Sequence, residues 1–74
     1  MKNLTDREIQ VAELVVLGYS NKEIAEKLFI SIHTVKAILE HIYEKLNLNN
    51  RVLLAVYITK QLYSQVNQKE LAPD

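Results

Sequence analysis

Seventy-four residues make one small domain, and a chain of this size buries only about 60% of its unfolded surface, so its core is thin. Nine Lys and Arg balance nine Asp and Glu; zero net charge argues against a strongly basic nucleic-acid binder but leaves room for one basic face. Cysteine is absent, which excludes disulfides and thiolate zinc sites and leaves stability to helix packing, helped by self-association.

The first helix start is Leu4-Thr-Asp-Arg-Glu8. Thr5 stands as N-cap, Glu8 closes a capping box, and Leu4 with Ile9 makes a hydrophobic staple. Asp6 and Glu8 suit the positive end of the helix dipole. Ile9, Val11, Ala12, Leu14, Val15 and Val16 follow, too dense for a one-sided surface helix, so helix 1 is expected over 6–17 and well buried. Glu8 reads as a cap and an ion-pair partner. Gly18, the only glycine, stands where a left-handed residue should stop the helix.

Ser20 repeats the pattern, with Glu23 as its capping-box partner and Tyr19 and Ile24 as the staple, and predicts helix 2 over 21–28. Ser31 opens helix 3, over 32–46, with Ile30 and Val35 flanking it. Two capped helices separated by about three residues fit a helix-turn-helix, whose helices cross at roughly 90–120°. Ala25 is small where they must approach, and Ile24, Leu28, Ile30, Val35 and Ile38 can form their contact. On a helical wheel Val35, Leu39, Ile42 and Leu46 form one stripe with Ile38 at its edge. His33, Lys36, Ala37, Glu40, His41 and Glu44 fall opposite. One face therefore belongs to a core, and the other is polar and available. An amphipathic helix with a merely solvated face is the bland alternative; the paired caps and the short turn favour DNA reading.

Asn47 tolerates the left-handed conformation and can end helix 3, and Asn49 or Asn50 can cap the next helix. Helix 4 is expected over 51–63. It is apolar nearly all round, so part of it must stay exposed or meet a partner. Leu54, Ile58 and Leu62 are candidates for the inward stripe, packing on helices 1 and 3. Val52, Leu53, Val56 and Lys60 then lie on more exposed sides as candidate dimer contacts. The expected division is a folded domain over 1–65 and a polar, fraying tail over 66–74.

No apolar run approaches the roughly 18 residues of a membrane span. The start is too polar for a secretory signal. Both point to a cytoplasmic protein with no membrane partner. His33 and His41 lie about two helical turns apart, too far to share a metal ion. No glycine-rich phosphate loop or metal-spaced cluster occurs, so no cofactor, metal, small-molecule ligand or catalytic residue is expected.

These residues resemble a known family. Leu4-Thr-x-Arg-Glu8, Gly18-x-Ser-Asn-Lys-Glu-Ile-Ala25, Leu28-x-Ile-Ser31, Thr34-Val-Lys36, Ile42-Tyr-x-Lys-Leu46 and Asn50-Arg51 look like the LuxR-type helix-turn-helix domain of the GerE, NarL and FixJ transcription factors. The resemblance covers about residues 4–62 and implies an all-α four-helix bundle whose third helix enters the major groove and whose fourth commonly mediates dimerisation. It implies that Lys36 faces the groove and that Thr34 and Lys45 support or contact the DNA backbone. Lys22 would approach a phosphate at the start of helix 2. Ser31 is shared, though its first role is the cap. With His33, Ala37, Glu40 and His41 from the open face, these residues make the candidate DNA-binding set. Three positions depart from the family pattern. Ile38 stands where His is common and suits the core edge. Asn47 replaces a usual glycine. Glu40 brings a carboxylate to the reading face, where it either repels phosphate or accepts a hydrogen bond from cytosine N4.

The expected function is a sequence-specific transcriptional regulator binding double-stranded DNA as a homodimer. The alternative is an interaction module of the same fold that pairs through helix 4 with a related regulator and alters its DNA binding. A starting Met shortly before helix 1 fits a stand-alone regulator or an excised effector domain equally.

Overall fold

The computed structural model describes residues 3–71, with side-chain packing described as far as Ser64. Its elements in chain order are α1 (Asp6–Val16), α2 (Asn21–Leu28), α3 (Ile32–Leu46) and α4 (Arg51–Leu71), and no strand occurs among the described residues. The chain is all-α, as its spacing predicts.

The helix boundaries follow from local chemistry. Thr5 Oγ1 accepts from the Glu8 amide at 3.1 Å, while Glu8 Oε1 accepts from the Thr5 amide at 2.8 Å. Ser20 and Glu23 make the same reciprocal pair at 3.1 and 2.8 Å. Each box satisfies donors that the first helical turn leaves without intrahelical partners. Ser31 caps α3 by accepting from the Thr34 amide at 3.0 Å, and the two hydroxyls lie 2.9 Å apart. Asn50 caps α4, its Oδ1 accepting from the Leu53 amide at 3.0 Å.

The stops are equally local. At the end of α1, Gly18 takes φ +92°, its amide donates to Val15 O at 3.0 Å, and the Tyr19 amide donates to Leu14 O at 3.1 Å. That is the paired bonding of a Schellman turn. The longer-range bond recurs after α2, from Ile30 to Ala25 O at 3.0 Å, and after α3, from Leu48 to Tyr43 O at 2.8 Å. The left-handed residue there is Phe29 (φ 59°) in one turn and Asn47 (φ 55°) in the other. Asn47 does what its side-chain type predicts; Phe29 is an unexpected occupant of that conformation.

The core unites all four helices. Val11, Ala12 and Val15 of α1 meet Ile24 and Ala25 of α2, Val35, Leu39 and Ile42 of α3, and Leu54 and Ile58 of α4. α1 is the central element: α4 packs along it, and both helices of the α2–α3 pair pack against it. Ala25 is buried where α2 meets its neighbours, the close approach its size predicts. Leu4, Tyr19 and Ile30, the outer halves of the three staples, pack on the edge of this core.

α4 departs from expectation in three ways. It extends to Leu71, past the predicted end near residue 63 and into the segment expected as a tail; residues 72–74 lie outside the described residues. Leu62 is 42% exposed, not part of the inward stripe that Leu54 and Ile58 complete. Its principal packing is on α1, without the comparable contact to α3 that was expected. α1 has 11 residues, roughly 16 Å, and α4 has 21, roughly 31 Å. α1 is roughly three turns long and α4 nearly six, so α1 can support only part of α4.

Candidate nucleic-acid interface

The site is built on α3. Val35, Leu39 and Ile42 are buried on its inner stripe, so the opposite stripe is held outward. His33, Lys36, Ala37, Glu40, His41 and Glu44 are all exposed. The wheel placed them there, and the core fixes the rotation. Ser31 and Thr34 lie at the entrance of the helix, bonded to each other, so their hydroxyls first serve the turn. Lys22 is exposed in the first turn of α2, and neither it nor Lys36 belongs to an ion pair among the described residues.

Charge along this face is graded. His33 and Lys36 sit in the first half of α3, near the positive end of its dipole. Glu40 and Glu44 sit in the second half. Lys22 and Lys36 are thus the exposed lysines near the starts of α2 and α3, with Glu23 beside Lys22 in the first turn of α2.

Lys45 has a different employment. Its Nζ donates to Glu8 Oε1 at 2.8 Å and to Asn3 O at 3.2 Å. Burial works to raise the Glu8 carboxyl, but the hydrogen bonds from Lys45 and Thr5, with the Lys45 charge, outweigh it and hold the group below its ordinary 4.5. Glu8 is thus both capping-box acceptor and ion-pair partner. The pair ties the end of α3 to the start of α1, and Lys45 meets this bond before any phosphate.

Between the first turn of α2 and the middle of α3 lies an open groove of ≈ 290 Å³, lined by Asn21, Lys36, Leu39, Glu40, Tyr43 and Arg51. It brings Lys36 and Glu40 together with residues that sequence reasoning gave no role. Arg51 Nη1 donates to Asn21 Oδ1 at 2.6 Å, and Nη2 donates to the Tyr19 carbonyl oxygen. Tyr43 is half-buried beside it; burial pushes its phenol up, against the opposing effect of the Arg51 charge. The signal for Arg51 was present in the sequence: a cation in the first turn of a helix opposes the dipole, so it asks for acceptors elsewhere.

The candidate dimer residues lie apart from this face. Val52 is 70% exposed, and Leu53, Val56 and Lys60 are exposed beside it on α4. Val52, Val56 and Tyr63 share one exposed side of the helix, with Leu53 at its edge.

Three N-capped starts, a short turn and an open face on the second helix of the pair define the helix-turn-helix class of regulators. Within it, the chain belongs to the luxR family of bacterial regulatory proteins, whose family model matches residues 2–58. This is a family of DNA-binding transcription regulators and not of enzymes. The chain is 48% identical over 58 residues to the oxygen regulatory protein NreC of Staphylococcus carnosus, a match covering 78% of this chain and 27% of that protein. It is 47% identical over 60 residues to NreC of Staphylococcus epidermidis and to NreC of Staphylococcus aureus, covering 81% of this chain and 28% of each. The chain therefore spans little more than a quarter of the length of these relatives. No helix among the described residues is long and apolar enough to cross a membrane.

Proposed function

We propose that this domain is the sequence-reading part of a bacterial transcription regulator and binds double-stranded DNA with α3 in the major groove. The observation that carries the reading is the outward stripe of α3, polar and uncovered, held by a capped turn with Lys36 in its first half. Lys36 donates to guanine O6 and N7 or to a phosphate; His33, Ala37 and His41 face the base edges beside it. Lys22 meets a phosphate at the start of α2. Thr34 and Ser31 hold the turn in register. Lys45 keeps α3 aligned through Glu8. Glu40 accepts from cytosine N4 and so tunes which sequence is bound.

Two copies pair through Val52, Leu53, Val56 and Lys60 of α4 in a self-complementary contact. That sets two copies of α3 about one DNA turn apart, ~34 Å, on an inverted repeat. Residues 1–65 suffice for this unit, which works in the cytoplasm without cofactor or small-molecule ligand.

A salt titration on random duplex tests the reading. Lys22 and Lys36 are the exposed lysines of the reading face, so the log–log slope should be roughly −2 per protomer, at about −0.9 per phosphate neutralised. The exposed apolar side of α4 also suits a module that pairs with a related regulator. Absence of binding to any duplex at low salt would assign the domain that role instead.

A further inference from the structure

Arg51 continues the inward stripe of α4. Residues 51, 54 and 58 share one face at helical spacing; Leu54 and Ile58 are fully buried against the core, and Arg51 is half-buried one turn earlier. Leu54 and Ile58, with the half-buried Ala55 and Tyr57 beside them, hold α4 along α1; a small swing about that contact changes such non-directional apolar packing less than it changes a directional hydrogen bond. Arg51 joins the first residue of α2 and the loop before it, through Asn21 Oδ1 and the Tyr19 carbonyl. The guanidinium is planar with fixed donor directions, so two acceptors on another element fix an angle as well as a distance.

We propose that Arg51 is a positioning residue: its fork sets the orientation of α4 relative to the helix-turn-helix, and through it the half-site spacing that a pair of these domains accepts. The spacing part rests on the reading of α4 as the pairing helix. The lever makes the effect large. Each α3 would lie about 17 Å from the two-fold axis, half of one DNA turn. A swing of ~10° at α4 then moves it by ~3 Å, about one base-pair step. Core packing alone need not resist so small a swing, whereas loss of either Arg51 bond removes a constraint on it.

The chain has no cysteine, so paired spin labels can be placed without background. Labels at Glu26→Cys on α2 and Thr59→Cys on α4, both exposed, report the orientation within one chain. Arg51→Ala should broaden or shift their distance distribution. Arg51→Lys, which keeps the charge but not the fork, should do nearly the same. Asn21→Ala, which removes one acceptor from the surface of α2, should give a smaller change and also serves if Arg51→Ala fails to fold. On single half-sites all three variants should bind within about twofold of the parent with an unchanged salt slope. On paired half-sites the preference for the best spacing over one a base pair longer or shorter should fall by about tenfold.

Unchanged label distances in Arg51→Ala and Arg51→Lys would overturn the proposal. So would loss of single half-site affinity with a slope shallower by about 0.9, which would make Arg51 a phosphate contact. If the parent itself shows no spacing preference, pairing through α4 fails, and the label distances alone decide the role of Arg51.

Discussion

Glu8 shows how much one side chain can hold. It closes a capping box and pairs with Lys45 while almost fully buried. Glu8→Gln keeps an acceptor for the cap but loses the charge, and should cost about 2 kcal/mol of unfolding free energy by denaturant titration. Its folded pKa is depressed, so its contribution is fully present above the ordinary value of 4.5 and is lost as pH falls through the lower folded value. As pH falls below 4.5 the parent should therefore lose stability more steeply than Glu8→Gln does. Lys36 tests the reading face without touching the core. Lys36→Ala should weaken specific binding by about 1–3 kcal/mol in a mobility-shift titration; unchanged binding would make it a solvated lysine. Phe29 isolates backbone cost. It is 94% exposed at φ 59°, so its ring contributes almost no burial while its Cβ opposes the left-handed turn. Phe29→Asn should raise stability by up to about 1 kcal/mol, and a loss of stability would show that the ring has a packing role.

At the scale of elements, three helix starts carry the same device, a hydroxyl accepting from the amide three residues on. Two are closed by a glutamate that accepts from the cap residue's amide, whereas at Ser31 the Thr34 hydroxyl bonds the cap's own hydroxyl. Such patterns are legible because both partners lie in one turn of chain. The inner stripe of α3 was legible for the same reason. The inner stripe of α4 was legible only in part, since a helix apolar on several sides gives its own spacing no unique inward direction. Leu54 and Ile58 are buried and Leu62 is not, although all three fall on one stripe. The exposed side is tested by Leu53→Glu combined with Val56→Glu. Both side chains are outside the core, so circular dichroism should show unchanged helix content while cooperative binding to paired half-sites disappears. Cooperative binding that survives would remove α4 from the dimer contact.

For the molecule as a whole, the arrangement divides labour around α1. The α2–α3 pair carries the reading unit, α4 is the helix proposed for pairing, and two polar ties cross the structure: Lys45 to Glu8, and Arg51 to Asn21 and Tyr19. Net charge is zero, and several of the cations are already engaged within the fold. Lys45 and Arg51 are tied to acceptors, and Lys27 sits 4.5 Å from the centre of the Tyr19 ring. Binding should accordingly be strongly salt-dependent only to the extent of Lys22 and Lys36. A dimer on paired sites should show a slope near −4, about twice the protomer value.

The sequence by itself determined what depends on neighbours a few residues apart: the three capped starts, the left-handed stops at Gly18 and Asn47, the turn between α2 and α3, and the outward face of α3 with Lys36 and Glu40 upon it. Tertiary structure alone decided which long side chains are spent inside the fold. Lys45 and Glu8 stand 37 residues apart, and Arg51 and Asn21 stand 30 apart. No periodicity relates such positions; only the packing of the helices brings these groups within bonding distance. The same packing decided where α4 leaves the core, because burial needs a second surface, and α1 supplies it for only part of the length of α4.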